Sequence, residues 1–306
     1  MKRVLILVLS VVLICGAVVG CQTQNPNEDG SSTNLPADST DAMTQDTAEI
    51  TSQTTDLAGT ETTKELETTE KVETTEKEET TAPPEMMEKE DSPYYGKIAV
   101  AYGDSITYGI YHKLGQNGAF YANPKWCDVV SERLGFASLT NYAVSGISIS
   151  STSSVLPEKA LSIGYKNMRD DAEVVLIAAG TNDFGTNVKL GTNKDMEDVS
   201  FCGALNVLCK GLKEKYPDAI IIFVTPVDRK DSEYNDLGIS LARYSRKIKE
   251  IAGDTYGFTV VDGNCTGFDA SDPEFCNKYM VDGVHPNQDA HLLYGEAVAK
   301  VLLTKK

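Results

Sequence analysis

An α/β fold with a parallel sheet, covered by helices on both faces, is what this sequence predicts over residues 94–306. Three observations predict it. Short apolar runs alternate with helical patterns along this whole stretch. Two of the runs, Glu173–Ala179 and Ala219–Thr225, are unbroken in apolar residues apart from one polar residue at an end, as strands buried on both sides must be. The helical patterns between them repeat at 3 and 4 residues.

The elements follow in order. Lys97–Tyr102 reads as the first strand. Pro124–Leu134 reads as a helix, with Asn123 as N-cap and Pro124 at its first position. Leu139–Val144 is a second strand and Glu173–Ala179 a third. Phe201, Leu205, Leu208 and Leu212 form one helical stripe. Ala219–Thr225 is a fourth strand. A further helix is expected to carry Leu237, Leu241, Tyr244, Ile248 and Ile251. Phe258–Val261 is a fifth strand, and a last helix covers Asp289–Leu303.

The first 93 residues differ in kind. Met1-Lys2-Arg3 followed by the apolar run Val4–Val19 is laid out as a secretory signal, residues 1–20. Gly20 precedes Cys21, and Cys21 is the expected lipidation site, with an uncleaved signal anchor as the alternative. Both place the rest of the chain outside the cytoplasm, and the first places it on the outer face of the membrane. Residues 21–93 are expected to be a disordered tether. They are rich in Thr, Glu, Ser and Gln and nearly free of large apolar side chains, so they bury too little surface to offset ordering entropy. Glu-Thr-Thr recurs at Glu61, Glu67, Glu73 and Glu79.

The net charge is −17. Residues 1–93 hold 6 basic and 19 acidic residues, and residues 94–306 hold 22 and 26, so most of the excess sits in the tether. No basic cluster suited to phosphate backbones results, which excludes nucleic acid as a partner. There is no Walker loop, no Gly-x-Gly-x-x-Gly, no Cys-x-x-Cys and no His cluster at ligand spacing, so neither cofactor nor metal is expected. Cys202 and Cys209 fall on the apolar side of a helix. Cys265 and Cys276 could form a disulfide in an exported protein.

In a parallel sheet, ligands sit beyond the carboxyl ends of the strands. After the first strand comes Gly103-Asp104-Ser105, after the second Ser145-Gly146, and after the third Gly180-Thr181-Asn182-Asp183. Before the last helix comes Asp282-Gly283-Val284-His285. These are the parts acyl transfer needs. Ser105 attacks a carbonyl once a base removes its proton, and His285 is such a base near neutral pH. A carboxylate must hold the histidine tautomer; Asp282 lies three residues before it, and Asp262 is a rival. The N–H groups of Ser105 and Gly146 and the Asn182 amide suit an oxyanion. Asp104 and Asp183 read as supporting hydrogen-bond groups. His112 could line the cleft, and His291 reads as a surface or packing residue on the last helix.

Ser105, Gly146, Asn182 and Asp282-x-x-His285, in that order, resemble the four blocks of the GDSL/SGNH hydrolase family. The resemblance spans about residues 97–303. It implies a flavodoxin-like three-layer α/β/α sandwich with a five-stranded parallel sheet ordered 2-1-3-4-5, and ester hydrolysis with Ser105 as nucleophile. Address, tether and site together suggest a monomeric lipoprotein esterase, similar to carbohydrate acetylesterases. It would remove small acyl groups, above all acetyl, from a polysaccharide or wall glycan. A lysophospholipase or lipase is the alternative enzyme, and an inactive glycan-binding module the alternative of another class. Aromatic and polar residues after the first two strands favour sugar over acyl chain: Tyr108, Tyr111, His112, Asn117, Tyr121, Trp126 and Ser148 to Ser154.

Overall fold

A computed structural model describes residues 86–230, 233–270 and 272–304. The expected signal, the Cys21 lipid site and the tether up to residue 85 lie outside the described residues.

Strand β1, Ile98–Gly103, is apolar on both faces and sits inside the sheet. It ends on Gly103 because nothing larger fits. A Cβ there would come within 2.2 Å of the Ala178 carbonyl oxygen and 2.4 Å of Thr107 Oγ1. One helical turn follows, α1, Ser105–Tyr108. A two-stranded hairpin, β2 Ile110–Tyr111 with β3 Phe120–Tyr121, branches off the layers. Then come α2 Trp126–Leu134, β4 Ser138–Asn141, the single turn α3 Leu161–Gly164, and β5 Val174–Ala178. The second half holds α4 Thr181–Gly185, α5 Phe201–Lys215, β6 Ile220–Val224, α6 Leu241–Ile248, β7 Thr259–Val261, α7 Pro273–Tyr279 and α8 Gln288–Leu303.

Five strands form one parallel sheet in the order β4-β1-β5-β6-β7. Counting only the sheet's own strands along the chain, that is 2-1-3-4-5, as expected. Successive strand residues point to opposite faces, and two cores result. Val100, Tyr102, Val175, Ile177, Ile221 and Phe223 pack against α3, α5 and α6. Ala99, Ala101, Val174, Leu176, Ile222 and Val224 pack against α2 and α8. The stripe Phe201, Leu205, Leu208 and Leu212 is fully buried. Each such side chain contributes about 1.5–3 kcal/mol.

Four expectations need correction. Helix α2 starts at Trp126, not Pro124: the Asn123 N–H is taken by Gln288 Oε1 at 2.7 Å, and Asp128 caps from within by accepting the Lys125 N–H at 2.9 Å. Leu237 is not helical and is 47 % exposed. The Asn235 side chain accepts from the N–H groups of Leu237 and Ile239, Gly238 turns with φ +67°, and α6 starts only at Leu241. The helix then continues as a π-helical run, Lys249–Thr255, that buries Ile251. The folded body also begins before residue 94. Met86 pairs antiparallel with Thr304, and the Met87 N–H donates to the Leu303 carbonyl at 2.9 Å. Lys89–Asp91 form a short 3-10 turn, and Ser92 is buried. Finally, Cys265 and Cys276 are free thiols; the Cys276 Sγ–H donates to the Ala270 carbonyl at 3.1 Å. Cys202 and Cys209 are buried in the core.

Candidate active site

Ser105 is the first residue of α1, lifted from the carboxyl end of β1. Asp104 caps that turn, its Oδ1 accepting the Ile106 N–H at 3.0 Å while its carbonyl accepts the Tyr108 N–H. Asp104 is buried, and burial pushes its carboxyl up to about 6 against the amide bond that favours the charge.

Asp282 and His285 lie in the loop between α7 and α8. Asp282 Oδ1 accepts the N–H groups of Val284 at 3.0 Å and His285 at 2.8 Å, which folds the loop back on itself. Its other oxygen, Oδ2, stands 2.7 Å from His285 Nδ1. Burial would raise this carboxyl, but the hydrogen bonds from the His285 ring and the two amides outweigh it and hold it at about 2. Asp282 is therefore charged throughout the neutral range. With Nδ1–H turned to Asp282, Nε2 carries a lone pair, and it lies 2.9 Å from Ser105 Oγ. A continuous relay of hydroxyl, imidazole and carboxylate thus spans 180 residues of sequence. Asp262, the rival carboxylate, is engaged elsewhere, with Lys249 Nζ at 2.5 Å and Thr225 Oγ1 at 3.2 Å.

Gly146 follows β4 in a left-handed conformation, φ +77°. A Cβ there would also meet Val155 Cγ2 at 2.8 Å. Asn182, on α4 after β5, donates its Nδ2–H to the Ile147 carbonyl at 2.8 Å. Asp183 accepts the N–H groups of Ile149 and Ser150 at 2.8 and 2.9 Å, one on each oxygen. It is fully buried, and burial pushes it up to about 7 despite those two bonds. Ser105, Gly146 and Asn182 thus sit at the carboxyl ends of three neighbouring strands, β1, β4 and β5. Such a set can bind a negative oxygen beside the hydroxyl.

Two arrangements have no clear signal in the sequence. Asp198 accepts from Ser150 Oγ, the Ser151 N–H and Ser162 Oγ, tying the Gly146 loop down a second time. His112 lies beside the relay, its Nε2 3.6 Å from Asp282 Oδ2. His291 is fully buried on α8, where its Nδ1 accepts the Trp126 N–H at 3.2 Å; burial pushes its pKa down to about 3, so it is a neutral packing residue. Trp126 packs inward on Tyr294 and Tyr111 is buried, so neither reaches a ligand. Tyr108 and Tyr121 are exposed, and with Lys125 and Asn141 they line a cleft of about 340 Å³.

The family model for the GDSL-like lipase/acylhydrolase family matches residues 101–293. The chain belongs to that family. It is a hydrolase of ester bonds, and a serine nucleophile is typical of its family. Among solved structures, a protein from Lactobacillus plantarum is 24% identical with a TM-score of 0.58, over 68% of this chain and 97% of that one. The acetylxylan esterase Axe2 from Geobacillus stearothermophilus is 20% identical with a TM-score of 0.50, over 68% of this chain and 94% of that one. At those identities the likeness is one of fold. No curated protein matches this GDSL-like hydrolase.

Proposed function

We propose that this hydrolase is an extracytoplasmic serine esterase that removes small acyl groups, above all acetyl, from a polysaccharide or wall glycan. The observation that carries the chemistry is the relay Ser105 Oγ–His285 Nε2 at 2.9 Å and His285 Nδ1–Asp282 Oδ2 at 2.7 Å. Ser105 is the nucleophile. His285 takes its proton and returns it to the leaving alcohol. Asp282 holds the imidazole in the accepting tautomer and stabilises the imidazolium. The tetrahedral oxyanion is received by the N–H groups of Ser105 and Gly146 and by the second hydrogen of the Asn182 amide. The acyl-enzyme then yields to water by the same steps in reverse order.

The substrate class rests on the rim. Tyr108 lies one turn from Ser105 and meets Tyr121 edge to face, ring centroids 5.9 Å apart. Exposed aromatic faces beside the Lys125 ammonium suit a sugar ring and its hydroxyls. That Axe2 is an acetylxylan esterase is in keeping with this. Anchoring by a lipid on Cys21 would hold the monomeric domain outside the cell, where polymers are met first. The test is a series of aryl esters below micelle formation. Here kcat/KM should fall from acetate to butyrate to octanoate, whereas the long apolar groove of a lipase would gain about 0.8 kcal/mol per buried CH₂ and reverse the order. A maximum at octanoate would replace the deacetylase with a lipase. Failure of a fluorophosphonate to label Ser105 would leave only a binding module.

A further inference from the structure

His112 follows β2 and has no part in the relay just described. Its Nδ1 sits 3.2 Å from the Gly118 carbonyl oxygen. A carbonyl only accepts, so in the neutral ring Nδ1 carries the hydrogen and Nε2 carries a lone pair. That lone pair faces Asp282 Oδ2 at 3.6 Å. Two acceptors confront each other across a gap that a proton on Nε2 or a bound cation can bridge favourably. His285 Nδ1 borders the same gap, 2.7 Å from Asp282 Oδ2, and one ligand atom from each of the three residues lies within 4.8 Å of the others. The rings of His112 and His285 stand edge to face with centroids 5.7 Å apart. All three side chains are partly open to solvent, so an ion can reach them.

The spacing suits a tetrahedral ion. With ligands at about 2.0–2.2 Å, neighbouring ligand atoms lie about 3.3–3.6 Å apart. The His112–Asp282 pair already has that separation, while the His285–Asp282 pair must open from 2.7 Å. The Gly118 carbonyl orients His112 in the way outer partners orient ligating histidines. Two imidazoles and one carboxylate suit zinc; magnesium requires six oxygens in near-octahedral array.

We propose that His112, Asp282 and His285 form an inhibitory site for Zn²⁺ and similar ions. His112 Nε2 and Asp282 Oδ2 bind first, and His285 Nδ1 joins as its hydrogen moves through solvent to Nε2. The ring keeps one hydrogen and no proton is released overall. Nε2–H can no longer accept from the Ser105 hydroxyl, so the nucleophile loses its base. Water fills the fourth position. Inhibition rests on the proposed roles of Ser105 and His285; ion binding does not.

The experiment separates the two. Cys265, the exposed thiol among the described residues, is replaced by Ser throughout, together with Cys15 and Cys21, to remove competing zinc ligands. The Ser105→Ala protein is titrated with ZnCl₂ by calorimetry. One ion per chain should bind, and His112→Ala and His112→Phe should each weaken it at least about 10–100-fold, the loss that an outer partner of a ligand alone brings, with melting curves confirming that both fold. MgCl₂ should give no heat. On an aryl acetate, the Ser105 protein should lose activity with ZnCl₂ and regain it with EDTA. The inhibition constant, taken against each variant's own metal-free rate, should rise by the same factor without His112. Zinc binding unchanged in both His112 variants, or equal inhibition by magnesium, overturns the site. A protein inactive on every ester but binding zinc through His112 would overturn the esterase roles and leave the ion site standing.

Discussion

The Asn182 side chain donates to the Ile147 carbonyl across 2.8 Å, so one of its two amide hydrogens holds the Gly146 loop and one remains for a ligand. Losing one oxyanion donor typically costs about 10²–10³ in kcat. Asn182→Ala should show that loss with little change in KM, measured on a soluble aryl acetate. An effect confined to KM would make Asn182 a ground-state binding group.

Groups that act as one unit fail together. Ser105→Ala and His285→Ala should each remove at least ~10³ of kcat, and the double variant should be scarcely worse than either. Asp282→Asn should fall less, because the imidazole remains but its tautomer is no longer enforced. Circular dichroism should show all four proteins folded. Near-normal turnover of His285→Ala at neutral pH would assign the base elsewhere.

Asp183 should make the domain less stable as pH rises. Its folded pKa of about 7 lies above the unfolded value near 3.8. The folded state therefore binds more protons between those values, and stability falls with pH across that window, by at most about 1.4 kcal/mol per pH unit for this group. Asp104, at about 6, adds in the same sense. Melting temperatures from pH 4 to 8 should decline for the native protein and more gently for Asp183→Asn. Equal slopes would show that Asp183 is ionised in the fold at low pH.

Trimming the chain to residue 94 should destabilise it. That cut removes the Met86–Thr304 pairing, the Met87–Leu303 bond and the buried Ser92. The loss should be on the order of 1–2 kcal/mol, a drop in Tm of roughly 2–8 °C for a domain of this size. A protein starting at 86 should melt like the longer chain. Identical curves for both starts would mean that residues 86–93 add nothing to the folded body.

The strands were legible because burial on both faces forces continuous apolar runs such as Val174–Ala178, and α5 because its stripe repeats at helical spacing. Ser105, Asp282 and His285 were legible because they fall at strand and helix ends, where chemistry-bearing types stand out from apolar neighbours. The hairpin β2–β3 was not: each strand is only two residues long. Helix α6 was misjudged at its start because Leu237 continues the apolar period, while the Asn235 turn that stops the helix is a side-chain effect. His112 could be placed near the cleft, but its approach to Asp282 joins residues 170 positions apart. The clamp by Asp198 escaped for the same reason.

The pairing of Met86 with Thr304 also sets a direction. Helix α8 begins just after His285, near Ser105, and runs 16 residues, about 24 Å, before its last residues meet Met86 and Met87. Residues 86 and 87 therefore lie at the pole opposite the catalytic mouth. A probe attached at residue 86 of a protein that starts there would thus stand about a helix length from Ser105 and leave the mouth unobstructed.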